Sequence, residues 1–299
     1  MIRRGVAAVT LAAVMGTWCG GTALGSQQAK WKPSKSDADV KKIGHRDVGK
    51  GTNFYSFAQE KKCSEQLAKQ IERESKFVDD AEVVDYVDRI GQRVARNSDI
   101  RMPVNFRVID SDAEEAFTLP GGYQYVDRGL LLRVESEAEL AGVLAHGIAH
   151  TAIRSGTKEA TEADIARIAT MPGDIFIAGE RVGSPVSQRM SFPLPLMMLA
   201  VRREDELEAD YFGLQYVYVT GYDPEGYIDV LQRVSTQTRS SAASTDVFSA
   251  SPPLDKRIEA MRKEIAEILP KRSDAVVSTP EFKEFQDRVR AWKPGPTSQ

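Results

Sequence analysis

The chain has 299 residues, of which 41% are hydrophobic and 28% charged, and its net charge is −3. Those values exclude a polytopic membrane protein, a disordered acidic tail and a collagen-like repeat. No basic excess points to a nucleic-acid partner, and two cysteines are too few for a disulfide-stapled scaffold.

Residues 1–25 read as a secretory signal peptide. Arg3 and Arg4 form the basic start, residues 5–15 the apolar run, and Ala23-Leu24-Gly25 the small-residue cleavage site. The apolar run is shorter than the roughly 20 residues that span a bilayer. A periplasmic or secreted location follows. Lipidation at Cys19 is the weaker rival, because Trp18 before it fits a lipobox poorly. Cleavage leaves Cys63 as the single cysteine, so no internal disulfide is expected.

Residues 26–52 are rich in Lys, Ser, Asp and Gly and read as a flexible tether. Helices are expected over 54–77 and 81–95, the second with Val83, Val84, Val87, Ile90 and Val94 at helical spacing. Alternation over 104–109 predicts a half-buried strand. Leu119-Pro120-Gly121-Gly122 is turn chemistry, and Tyr123-Gln124-Tyr125-Val126 continues as a further strand. Ser136 and Glu139 form a capping signature for a helix that runs apolar on nearly every face through His146 and His150. Such a helix is buried. Further helices are expected over 157–170, 202–220, from Asp223-Pro224 onward, after Pro252-Pro253 and over 282–289, with a short strand at Ala275-Val276-Val277.

His146 and His150 are four apart on one helix, so both imidazoles project from one face. Two nitrogens in that arrangement can bind one tetrahedral Zn²⁺ at ~2.0–2.1 Å. A pair of this kind alone is more often a satisfied core or surface pair. Here histidine is scarce, and a doublet in an apolar helix needs partners. The run Glu206-Leu207-Glu208-Ala209-Asp210 puts Glu206 and Asp210 on a shared helix face. One of them can ligate the metal while the other orients a ligating histidine.

In these stretches the chain resembles the HtpX and CAAX prenyl endopeptidase group of zinc metallopeptidases, peptidase family M48, in a secreted single-domain bacterial form. The matching segments are Ala116-Phe117-Thr118-Leu119-Pro120-Gly121-Gly122, the residues from Ser136 to His146, Glu206-Leu207-Glu208-Ala209-Asp210 and Gly221-Tyr222-Asp223-Pro224. The resemblance implies an α+β, mostly helical, gluzincin-like domain over 53–270, with a small sheet beside the zinc helix. Residues 271–299 then form a C-terminal strand and helix extension. It further implies one zinc per chain on His146, His150 and Glu206, with Asp210 as partner of a ligating histidine. The substrates or clients would be unfolded or mis-assembled envelope proteins. The apolar stretch 192–199, beginning at Phe192 and ending at Leu199, could touch a membrane surface or simply be a buried connection.

One position departs from the pattern. The family motif is H-E-x-x-H, and this chain reads His146-Gly147-Ile148-Ala149-His150. The missing glutamate is the family's general base, and losing such a group typically costs ~10²–10⁴ in rate. Ser155 and Ser251 stand where relatives often have histidine, and Glu115 where they favour asparagine. The expectation is a zinc-binding but catalytically crippled peptidase. One alternative is an active endopeptidase with a surrogate base among Glu115, Glu204, Asp205 and Glu208, each read from sequence as an ordinary exposed carboxylate. The other is a metal-free holdase. On propensity alone, Gly147→Glu should not hurt the helix and should restore cleavage.

Overall fold

The computed structural model describes residues 31–169, 203–238 and 253–293. Residues 1–25 and the apolar stretch 192–199 lie outside them. The described elements run α1 (Phe57–Glu74), α2 (Ala81–Arg96), β1 (Asn105–Ile109), β2 (Ala116–Leu119), β3 (Tyr123–Asp127), α3 (Arg128–Arg133) and α4 (Glu137–Ile153). They continue with α5 (Ser155–Ala169), α6 (Arg203–Thr220), α7 (Glu225–Thr238), α8 (Leu254–Ile268) and α9 (Pro280–Ala291). The α+β expectation holds, with a small sheet in a helical body.

Helix α4 is the hub. Its N-cap Ser136 accepts from the Glu139 backbone N–H. Fifteen of its seventeen residues are buried, the exceptions being His146 and His150. It packs against α6, α7, α2 and β2, so its apolar residues are covered from every side, as an all-round apolar helix requires. The Glu139 carboxylate bonds the Glu135 N–H and Arg233, not the cap residue's own N–H.

The sheet has the order β1-β3-β2. β1 runs parallel to β3, and β2 pairs antiparallel to it, with Thr118 opposite Gln124. The β2–β3 hairpin turns through Gly121 and Gly122, at φ of 84° and 91°. Glycine is required at 122 twice over: the backbone is left-handed, and a Cβ would lie 2.2 Å from the Pro103 carbonyl oxygen. β2 and α3 are both too short for periodicity to reveal, and sequence reasoning missed them as separate elements.

Two boundaries differ from the sequence reading. Residues 31–52 are not a free tether over their described length. Trp31 stacks edge-on to Tyr211 and Phe212, and Val48 is buried in the main core. Arg46 is 3% exposed and donates to Asp99 at 2.9 and 2.5 Å and to Gln215 at 2.6 Å. The segment is irregular, so its anchors come singly and leave no periodic trace. Residues 271–293 likewise join the same core. Phe282, Phe285 and Val289 of α9 are buried, and Val276 bridges Tyr222. The hydroxyls of Tyr86, Tyr222 and Thr279 all donate to the buried Glu137 carboxylate, which ties α2, the end of α6 and the start of α9 to the first turn of α4.

Removing Arg46 would leave Asp99 buried without a counter-charge. Arg46→Met should therefore cost ~3–5 kcal/mol in urea unfolding, whereas a substitution in a tether would stay within about 0.5 kcal/mol.

A pH effect is also expected. Burial, and then the nearby Glu115 carboxylate, push the buried Asp127 carboxyl up to about 7. The folded state thus holds this proton more tightly than the unfolded chain does. Its contribution is present below the unfolded pKa of 3.8 and is lost as pH rises toward about 7. Asp127→Asn should raise the melting temperature at pH 8 and leave it nearly unchanged at pH 4.

Candidate metal centre

Helix α4 supplies His146 and His150 one turn apart, and α6, packed along it, supplies Glu206 and Asp210. The two Nε2 atoms face each other at 3.0 Å. Glu206 reaches both, Oε1 at 3.3 Å from His150 Nε2 and Oε2 at 3.6 Å from His146 Nε2. Sequence reasoning placed these side chains together, and the fold does bring them together.

Each imidazole is held from behind. His146 Nδ1 lies 3.1 Å from Asp210 Oδ1, and His150 Nδ1 lies 3.1 Å from Ser155 Oγ. The Ser155 hydroxyl points its own hydrogen at the His150 carbonyl, which leaves its oxygen free to accept. In the tautomer that carries the proton on Nδ1, each ring turns an Nε2 lone pair toward the same point, which is the form a metal ligand takes.

The protonation states favour a ligand set. Burial, and then the neighbouring His150, hold His146 below its usual pKa against the pull of Asp210 and Glu206. Burial alone would raise the Glu206 carboxyl, but the His150 hydrogen bond and the Arg257 guanidinium bring it to about 2. Neutral imidazoles and an ionised carboxylate are the forms that bind metal. His146, His150 and Glu206 each offer one atom, all within 4.8 Å of one another. Two nitrogens and one oxygen in this arrangement fit a divalent cation with a fourth position open toward the cleft.

Sequence reasoning missed Arg257. It is fully buried on α8, donates to both Asp210 oxygens at 2.7 Å and sits 2.8 Å from Glu206 Oε2. The Tyr227 hydroxyl adds a 3.0 Å bond to Asp210. Burial works against the Arg257 charge, but Asp210, Tyr227 and Glu206 hold its pKa well above the usual value. A signal was present: Arg257 falls on the apolar stripe of Leu254, Ile258, Met261 and Ile265, where a charged residue needs a buried partner.

The cleft over this cluster is lined by His146, Gly147 and His150, by Thr118 and Gln124 of the sheet, and by Glu60. Glu60 is held by Arg154 at 2.8 Å and by the Thr157 hydroxyl. The four carboxylates considered as surrogate bases do not behave as expected. Asp205 and Glu208 are buried, not exposed, because that face of α6 packs inward. Burial, only partly opposed by Lys158, pushes Glu208 up to about 7. Glu115 is half-buried. None of these three lines the cleft. The Glu204 side chain and Ser251 lie outside the described residues. Cys63 is half-buried on α1, away from the cleft lining, and burial raises its thiol pKa.

Residues 82–265 match the family model described as "Peptidase family M48". The chain belongs to this family. It is 23% identical over 221 residues to the beta-barrel assembly-enhancing protease of Escherichia coli K12, covering 72% of this chain and 45% of that one. The Yersinia pestis protein of the same name is 24% identical, covering 72% and 46%. The mitochondrial metalloendopeptidase OMA1 of Schizosaccharomyces pombe is 29% identical over 191 residues, covering 62% and 54%. The chain thus spans about half the length of these curated relatives. Among the described residues, no helix is long and apolar enough to cross a membrane.

Arg257→Met should leave Asp210 and Glu206 buried without a counter-charge and cost ~3–5 kcal/mol in the metal-free protein. Chemical denaturation in the presence of a chelator measures it.

Proposed function

We propose that this member of the family is an exported, periplasmic zinc-binding protein whose cleft holds unfolded or mis-assembled envelope proteins and cleaves them poorly or not at all. The observation that carries the reading is the contrast within one helix turn. The donor set of His146, His150 and Glu206 is complete, while Gly147 stands where the family's general base belongs. Zinc, when bound, would polarise a carbonyl oxygen in the cleft. His146, His150 and Glu206 would hold it, Asp210 and Ser155 would fix the two rings, and Arg257 would fix Asp210.

Gly147 supplies no proton acceptor. Among the acids considered as surrogates, none with a described side chain reaches the cleft, and Glu60, which does, is already engaged by Arg154 and Thr157. An absent base costs ~10²–10⁴ in rate, so binding survives where turnover fails. The assignment to the envelope is supported by the signal-like residues 1–25 and by the similarity to proteases named for enhancing beta-barrel assembly. No nucleic acid is involved, as the net charge of −3 suggests. Membrane-surface contact through the stretch 192–199 is a subsidiary part of the same proposal.

Elemental analysis of the purified protein should find about one zinc per chain, and His150→Ala should lose it. Casein incubated with the zinc-loaded wild type should stay intact. Robust cleavage that a chelator abolishes would overturn the reading, and so would a wild type that takes up no metal.

A further inference from the structure

Position 147 is not merely short of a side chain. A Cβ built on Gly147 would stand 2.6 Å from Thr118 Oγ1, 2.7 Å from Gln124 Oε1 and 2.8 Å from Gln124 Cδ. Attractive contact between such atoms begins nearer 3.5 Å, so even a methyl group there requires the Thr118 and Gln124 side chains to move. The space is taken from the sheet by two residues that face each other across the β2–β3 ladder.

Gln124 is the more telling of the two. It is 3% exposed on the central strand, yet it borders the cleft beside His146. Its Nε2 has no hydrogen-bond partner among the described residues. A buried amide left unpaired costs the empty fold free energy, and an apolar residue would avoid that cost. Such a group is explained when a ligand supplies the missing partner.

We propose that Gln124, with Thr118, takes the place of the absent position-147 side chain and offers a neutral carboxamide to the main chain of a peptide lying in the cleft. A carboxamide has an acceptor and a donor pair, the complement of a peptide group, and no basic atom. It binds the backbone and accepts no proton. The proposal rests on the reading of the cleft as one that holds peptides without cleaving them. It also qualifies the sequence expectation for position 147: the helix would accept glutamate there, but the Thr118 and Gln124 side chains of the sheet would have to give way.

Two measurements test it. The first is the melting temperature, in chelator, of Gly147→Ala in the wild type and in a Thr118→Ala/Gln124→Ala background. Helix propensity alone favours alanine, by about 2–4 °C for a domain of this size. Gly147→Ala should lower the melting temperature of the wild type and raise it in the emptied background. If that background fails to fold, Gln124→Ala alone should still lessen the loss. An equal rise in both backgrounds would overturn the packing exchange.

The second measurement is the affinity of the zinc-loaded protein for fluorescently labelled, reduced and carboxymethylated α-lactalbumin, an unfolded probe. Gln124→Ala should weaken binding by about three- to tenfold, with metal content unchanged. Unchanged affinity would overturn the role of Gln124. A wild type that does not bind the probe at all, with the melting-temperature reversal intact, would instead overturn the holding function and leave the packing exchange standing.

Discussion

A guanidinium with no exposure must be neutralised where it stands, and Arg257 is neutralised by the acids of the metal centre. Its two bonds to Asp210 and its contact with Glu206 lock α8 to α6. Through Asp210 the lock extends to His146, and so to α4. The ion pair cannot swing away without stranding charges in the core. The geometry of the ligand set is therefore held by a group that never touches the metal, as outer partners of metal ligands commonly do. Burial of Arg257 and integrity of the centre are one constraint seen from two sides.

The same logic explains what the sequence made legible. His146 and His150, and likewise Glu206 and Asp210, lie on long helices where a spacing of four residues fixes a shared face, so each pair could be read from spacing, while their joining in one ligand set was implied by the family resemblance. Arg257, Tyr227 and Ser155 complete the site from three other elements. Their contacts depend on how those elements pack, which no local period encodes. Only the misfit of an arginine on the apolar stripe of α8 announced one of them. The segment around Arg46 failed to show for a related reason. Its anchors are single residues in an irregular path, and composition there resembles a solvated linker even though the guanidinium is buried against Asp99.

Helix α4 shows how burial and function divide one element. All its residues are buried except His146 and His150, so the single opening in its coat lies over the two imidazoles. Glu137 at its first turn is satisfied by three hydroxyls, and the positive end of the helix favours the charge. The helix is thereby fixed at its N-terminus by a buried carboxylate and near its C-terminus by the histidine cluster. A helix pinned at both ends leaves little freedom for the residues between, and Gly147 is one of them.

That rigidity decides how the loss at position 147 is to be understood. Had glutamate simply been replaced, the vacated volume would remain, since a pinned helix cannot shift to fill it and cores relax only partly around a deletion. Instead the volume is filled by Thr118 and Gln124, and the filling group is an amide with an unpaired nitrogen where a leucine or valine would pack at lower cost. An unpaired polar group beside the His146, His150 and Glu206 set is what the proposed contact with a polar partner would use. On the proposed reading, binding and catalysis separate at this centre: the candidate ligand groups are present and mutually supported, and a residue without a proton acceptor stands where the family's general base belongs.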